Sequence, residues 1–325
     1  MPLIRNDFKN ITKEFEAELN QFNKEFDEII QSDVHLLKYI LKYIFKNKGK
    51  QLRPLFIILS SGLCGKINDK TYKVAALIEI LHTATLIHDD IIDEAELRRG
   101  VFSVNALWKN KAAVLVGDYL LVRGLLVALD NEYFDLLNIV AQAIRMMSEG
   151  ELLQIQKART WNIDEDIYYE IIKKKTASLF AVSFQVGAYS ADADEDTQKQ
   201  LFETGMKIGM AFQIKDDLLD FNGKKIGKAK LNDLKEQKLT LPIIYAFNNS
   251  TFFEKKKYLS YIKSMKKEKL TQTINWIENK GGFDYAENKM KEYAKLALQE
   301  LENFSDNKYK KGIIETINFL VNRSY

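Results

Sequence analysis

Apolar residues return every three or four positions along most of the chain. Phe15, Leu19, Phe22 and Phe26 keep that spacing, as do Leu36, Ile40, Tyr43 and Ile44. The windows Leu121 to Leu129, Tyr168 to Ile172, Phe180 to Val186 and Ile274 to Leu301 continue it. Such a period stacks side chains on one face of a helix, whereas half-buried strands alternate with a period of two. Period-two runs are scarce. Punctuation is sparse too: three prolines (Pro2, Pro54, Pro242) and 15 glycines leave room for long helices and little for tight turns. The pattern predicts an all-α fold, a single domain over residues 1–325. Two windows, about 72 to 96 and 199 to 222, are apolar on most faces and belong at its centre. Polar clusters near 46–54, 97–110, 160–166, 190–196, 222–240 and 248–256 predict the breaks.

Each central window carries the same acidic pattern. His88-Asp89-Asp90-Ile91-Ile92-Asp93 is matched by Lys215-Asp216-Asp217-Leu218-Leu219-Asp220. Carboxylates in such apolar surroundings are costly to bury without a partner. On a helix Asp89 and Asp93 share a face, one turn apart, and so do Asp216 and Asp220. A lone D-D-x-x-D is usually a solvated helix face. Two of them, each wrapped by leucine, isoleucine or phenylalanine, point to metal. Facing one another they would form a cage of oxygen ligands, a setting for Mg²⁺ completed by water and substrate phosphate. The expected ligands are Asp89, Asp93 and Asp216.

Composition narrows the classes. Apolar residues make up 46% and charged residues 29%, as in ordinary globular proteins. The net charge of +3, from 48 basic and 45 acidic residues, gives no reason to expect a nucleic-acid partner. One cysteine, Cys64, excludes an intrachain disulfide and suits a reducing cytoplasm; it reads as a small buried hydrophobe. The first residues carry no signal-peptide core, and no charge-free apolar run reaches the length of a membrane span. The lysine-heavy stretch from Glu254 to Lys269 reads as a solvated helix face, with loose membrane-surface contact as the lesser reading.

Basic residues cluster where a diphosphate would need them. Lys48-Gly49-Lys50-Gln51-Leu52-Arg53-Pro54 sets three cations around a flexible glycine, and Arg98-Arg99-Gly100 closely follows the first acidic pattern. Lys175-Thr176, Lys228 and Lys238 are further candidates. His82 lies about two turns below Asp89 on roughly its face, placed for a phosphate hydrogen bond; His88 is undecided between core and site. No zinc spacing occurs, and Gly205 to Gly209 lacks the strand a dinucleotide loop requires.

In order, these segments resemble the trans-isoprenyl diphosphate synthase (polyprenyl synthetase) family over roughly residues 35 to 245. The family's G-G-K-R-x-R-P corresponds to Lys48 to Pro54, with Lys48 and Gln51 as departures. Its two aspartate motifs, Val116-Gly117-Asp118-Tyr119, Gly150-Glu151-Leu152-Leu153-Gln154, Lys175-Thr176, Gly227-Lys228 and Asp233 to Pro242 complete the set. The resemblance implies a bundle of antiparallel helices around a central cavity, the isoprenoid synthase type I fold. It implies Mg²⁺-dependent 1′-4 condensation of isopentenyl diphosphate with an allylic diphosphate, three metal ions when substrate is bound, and a homodimer. Asp89, Asp93 and Asp216, helped by Asp90, Asp217 and Asp220, would hold the metals. Arg98, Lys175, Lys228 and Lys238 would stabilise the leaving pyrophosphate. Lys50, Arg53, His82 and Arg99 would hold isopentenyl diphosphate, and Thr176 and Gln213 would stabilise the allylic cation with neutral dipoles. The pyrophosphate itself is the expected proton acceptor.

Short-chain members of the family carry aromatic residues four or five positions before the first aspartate. Here those positions are Thr85 and Ala84, so the pocket floor is open, with Leu81 and Leu77 deeper on the helix. The expectation is a product of about C30 to C40 of the octaprenyl or heptaprenyl type, measured along a helix that rises about 1.5 Å per residue. Quinone side chains are its expected use. A farnesyl or geranylgeranyl diphosphate synthase and a non-catalytic partner subunit are the alternatives. A terpene cyclase would lack the basic loop and the second D-D-x-x-D.

Overall fold

A computed structural model of the protein describes residues 2–46, 49–98, 100–160, 164–221, 232–235 and 238–323. Helices follow one another as α1 (Pro2–Glu14), α2 (Glu16–Ile29), α3 (His35–Lys46), α4 (Leu52–Cys64) and α5 (Asp69–Ile92). A two-strand hairpin, β1 (Leu97–Arg98) and β2 (Val101–Phe102), precedes α6 (Val104–Asp130), α7 (Phe134–Thr160) and α8 (Glu165–Ile172). A π-helical turn, Lys173–Ala177, leads into α9 (Ser178–Ser190) and α10 (Glu195–Phe221). Then come α11 (Asn232–Lys235), α12 (Leu241–Asn248), α13 (Phe252–Ser264), α14 (Lys267–Asn279), α15 (Gly282–Glu300) and α16 (Lys308–Asn322). The fold is all-α, as the periodicity requires, with the small hairpin as the one addition among the described residues.

The two central windows are α5 and α10. A reciprocal cap starts α5: the Asn68 side chain accepts from the Thr71 amide, and the Thr71 hydroxyl accepts from the Asn68 amide. Above it, Val74, Leu77, Ile78 and Ile80 are fully buried, so α5 packs on several sides. α10 lies against α9 and α15, and its contact with α9 is made by glycine. A Cβ on Gly209 would run into Ala177 Cα, and one on Gly205 would stand 2.7 Å from Phe180 O. Gly205 to Gly209 is therefore a helix-packing groove that brings the second acidic pattern close to the π-helical turn.

Two apolar clusters fill the bundle. One joins α4, α9, α10, α12 and α14 to α16 around Phe56, Phe180 and Phe184. The other joins α2, α5, α6 and α7 around Phe22, Leu77 and Leu120. Burial of this kind contributes roughly 25 cal/mol per Å² and gives the helix ends a rigid base.

Some expected boundaries move. The break over 97–110 is mostly structured: Leu97 pairs with Phe102 and Arg98 with Val101. Ser103, whose side chain accepts from the Ala106 amide, then starts α6, and only Lys109 leaves helical geometry, at φ 70°. The window from Ile274 to Leu301 is two helices parted at Gly281, which takes φ 75°. Cys64 is partly rather than fully buried, and burial still pushes its thiol up to about 12. α6 alone among the described helices is long and apolar enough, by length and composition, to cross a membrane, a test that a packed core helix also passes. Lys109, Lys111, Asp118 and Arg123 interrupt it, so no charge-free run of that length occurs. Its buried side, including Val116, Leu120 and Ala128, packs into the bundle.

Candidate active site

The first acidic pattern sits on the last turn of α5. At about 100° per residue, Asp93 lies only about 40° around the helix from Asp89, whereas Asp90 is turned about 100° away. Asp90 is 3% exposed, and one of its oxygens takes both Arg98 Nε at 2.6 Å and an Arg98 terminal nitrogen at 2.5 Å. That pair clips the hairpin to α5 and fixes where Arg98 stands. Asp93 ends the helix and faces Lys238 Nζ at 3.5 Å, so the segment before α12 returns to the first pattern. Burial pushes the Asp89 carboxyl up to about 6; Lys175 and Arg98 oppose the rise, while Glu151 and Asp93 add to it.

The π-helical turn brings Lys175 and Thr176 to the same place. It packs on α7 at Gly150, where a Cβ would lie 2.8 Å from both Lys174 Cβ and the Lys175 amide nitrogen. Lys175 pairs with the nearly buried Glu151. Thr176 donates its hydroxyl to Gln213 Oε1 at 2.7 Å, and Gln213 Nε2 donates to Asp217 Oδ1 at 2.8 Å. The second Asp217 oxygen accepts from the buried Tyr168 hydroxyl at 2.6 Å. Burial raises the Asp217 carboxyl, and these two donors pull it back. Burial and the adjacent carboxylate hold the Tyr168 hydroxyl well above its ordinary range. Asp217 is thus an internal anchor whose two oxygens are both engaged.

Asp216, on α10, meets Arg323 at 2.6 Å. The Arg323 guanidinium lies over the Phe212 ring at 4.2 Å and donates to Phe212 O at 3.2 Å. Burial raises the Asp216 carboxyl; Arg323 and then Lys50 and Arg53 hold it down, so the basic loop and second pattern share one field. Arg53 meets His82 Nε2 at 2.8 Å and lies over Phe180, and Lys50 lies over the Phe319 ring at 4.7 Å. Asp220 accepts the Asp233 amide at 3.2 Å.

Most of the residues selected from the sequence therefore converge. Asp89, Asp93, Lys175, Lys238 and Arg98 form one group; Asp216, Lys50, Arg53 and His82 form another, and Thr176 and Gln213 stand beside Asp217. Arg99 and Lys228, with Lys48, lie outside the described residues. His88 turns away, onto the α6 side, with Nε2 3.5 Å from Asp118. Among the described residues no three His, Cys, Asp or Glu side chains converge as metal ligands; basic side chains lie against the acids, Lys238 at Asp93, Arg98 at Asp90 and Arg323 at Asp216. The donor set still fits Mg²⁺, which takes one or two carboxylates and draws its remaining oxygens from water and phosphate.

Reading the sequence missed Arg323 and Tyr168. Arg323 belongs to no spaced motif, and Tyr168 was absorbed into an apolar period; the one available signal was a polar tip on a buried ring. The chain-length positions separate as well. Thr85 is about 40° around α5 from Asp89 and partly exposed, while Ala84 is about 140° away and buried. Leu81 leans on α6, where a Cβ on Gly124 would meet its Cδ2 at 3.2 Å. Beside α5, a cleft is lined by Gly49, Gln51, His82, Leu86, Asp90 and Arg98, with Tyr43 and Phe102 on its wall.

Residues 34–278 match the family model for polyprenyl synthetase. The chain belongs to that family. An all-trans-nonaprenyl-diphosphate synthase (geranyl-diphosphate specific) of Rhodobacter capsulatus is 37% identical over 94% of this polyprenyl synthetase and 94% of the relative. A geranylgeranyl diphosphate synthase of Saccharolobus solfataricus is 35% identical over 88% of this chain and 90% of that one. Polyprenyl synthase from Caulobacter crescentus, solved with calcium and isoprenyl diphosphate, superposes with a TM-score of 0.90 at 32% identity, covering 98% of both chains. The polyprenyl synthetase described here is thus a prenyltransferase, and its relatives include both long-chain and short-chain enzymes.

Proposed function

We propose that this polyprenyl synthetase is a long-chain all-trans polyprenyl diphosphate synthase acting as one catalytic domain. It would add isopentenyl diphosphate repeatedly to farnesyl or geranylgeranyl diphosphate and stop at about C30 to C40, a length set along α5 at about 1.5 Å per residue. The observation that carries the reading is the interleaving of the two acidic patterns with cations: Lys238 on Asp93, Arg98 on Asp90, Arg323 on Asp216. Lys238 and Arg323 can exchange their carboxylates for a metal-bound diphosphate as Asp93 and Asp216 take metal. Arg98 keeps its buried Asp90 and turns its remaining N–H donors to phosphate.

Asp89, Asp93 and Asp216 would hold Mg²⁺, three ions with substrate bound, and the metal would supply neutralising charge for the departing pyrophosphate. Lys175, Lys238 and Arg98 then grip the pyrophosphate oxygens, with Lys228 a further candidate. Lys50, Arg53, His82 and Arg99 orient isopentenyl diphosphate so that its double bond faces the allylic carbon. The carbon–oxygen bond to pyrophosphate breaks, a carbon–carbon bond forms, and the proton lost from the isopentenyl unit goes to the released pyrophosphate. Thr176 presents its oxygen to the cation, held in place by Gln213, Asp217 and Tyr168. Thr85 leaves the way down α5 open to the growing chain. We propose a homodimer built on α6, whose outer face exposes Leu115 and Val122 to 68% and 54%, and quinone side chains as the destination of the product.

Purified protein with Mg²⁺, labelled isopentenyl diphosphate and farnesyl diphosphate tests the reading. Products of about C30 to C40 support it, on the ruler above. A stop at a short chain rejects the length assignment, and no condensation returns the chain to the role of a partner subunit.

A further inference from the structure

Phe252 and Phe253 begin α13 and are 74% and 82% exposed, the two most exposed large apolar side chains among the described residues. Their rings lie edge to face, centroids 6.0 Å apart. Isolated exposed hydrophobics are common, but adjacent phenylalanines at a helix start make a projecting apolar wedge.

The rest of the helix supplies the chemistry of what would cover that wedge. At about 100° per residue, Phe252, Phe253, Lys256, Lys257, Ser260 and Lys263 fall within about 140° of arc. The three lysines are exposed, while Ile262 on the opposite side is fully buried against the bundle. No acid interrupts that outer arc. Glu254 is turned aside, accepting the Thr251 amide at 2.8 Å and pairing with Lys280 at 3.1 Å. From 255 to 269 the chain has seven lysines and one acid, Glu268. A rigid face with an aromatic wedge, a ring of cations and no acid is complementary to one surface in particular, the headgroup layer of an anionic bilayer.

We propose that the outer face of α13 docks the protein on an anionic phospholipid surface, with Phe252 and Phe253 entering the headgroup boundary and Lys256, Lys257 and Lys263 pairing with lipid phosphates. Its purpose rests on the functional reading, since a long prenyl chain partitions into a bilayer and a docked enzyme would release it there. The binding itself needs no substrate, so the surface can fail or stand apart from the chemistry.

Co-sedimentation with vesicles tests it. The full-length protein should bind vesicles of phosphatidylcholine with one-third phosphatidylglycerol, bind pure phosphatidylcholine far more weakly, and dissociate at high salt. F252S/F253S should weaken the binding at least tenfold. K256E/K257E/K263E should weaken it roughly a hundredfold or more, since each lysine near such a surface contributes about a factor of five. Both variants should keep the wild-type melting temperature and turnover in detergent, because the altered residues are exposed and outside the catalytic groups. Equal sedimentation with neutral and anionic vesicles, or wild-type binding in both variants, would overturn the proposal. So would equally tight binding to polyglutamate or duplex DNA with no effect of F252S/F253S, which would make the face a general polyanion or acidic-protein surface.

Discussion

Replacing Asp89 by asparagine should stabilise the metal-free enzyme at neutral pH. Asp89 lies partly buried at the end of α5, and burial, Glu151 and Asp93 lift its carboxyl from 3.8 to about 6. A rise of about two pH units corresponds to about 3 kcal/mol between the protonated and ionised forms. A carboxyl raised by folding contributes its stability fully below its unfolded pKa and loses it as pH climbs through the folded value. The loss therefore runs from about pH 4 to pH 6, and above that the ionised group is a net cost. An asparagine side chain in its place cannot ionise and keeps nearly the same shape. Urea unfolding of both proteins in EDTA should give equal stabilities near pH 4, with D89N ahead by up to about 3 kcal/mol at pH 8. Groups that titrate alike in both proteins cancel in the difference. Added Mg²⁺ and pyrophosphate should then stabilise wild type by about 3 kcal/mol at a hundredfold excess over Kd, and the variant far less. A difference that stays flat from pH 4 to 8, or a D89N protein weaker than wild type without metal at pH 8, would refute the reasoning.

Tyr168→Phe removes one of two donors to the buried Asp217 and should cost about 2 kcal/mol of stability; because Asp217 holds Thr176 only through Gln213, kcat should fall while KM for isopentenyl diphosphate stays unchanged. Arg323→Gln frees Asp216, whose side chain is 38% exposed, so Mn²⁺ titrated without substrate should bind roughly fivefold tighter, on the ~1 kcal/mol scale of such pairs; unchanged affinity would make the arginine a packing residue only. Thr85→Phe places a ring beneath Asp89 and should shorten the longest product by chromatography, whereas Ala84→Phe, in the packed side of α5, should mainly destabilise the fold by about 1–3 kcal/mol.

Much of this was written into the sequence. Helical periodicity gives the bundle because each apolar stripe must be buried, and α5 and α10 are central because they are apolar on most sides. The spacing of Asp89 with Asp93, and of Asp216 with Asp220, follows from the helix alone. Sequence order also placed Lys175 and Lys238 among the basic candidates. It was less informative where a residue's role depends on its partner. Asp90 and Asp217 look like their neighbouring aspartates in the sequence, yet Asp90 secures Arg98 and Asp217 is closed by Tyr168 and Gln213.

Tertiary structure alone decided those partnerships. Thr85 and Ala84 are adjacent in the chain, but one residue is about 100° around the helix, which puts the first toward the site and the second into the core. Gly205 and Gly209 show no function until α9 is laid across them. Arg323, at the far end of the chain from the motifs, reaches Asp216 because α16 packs back along α4 and α10. Local spacing fixes which side chains share a helix face. Which charges meet across the bundle depends on how whole faces pack, and that is a property of the assembled core.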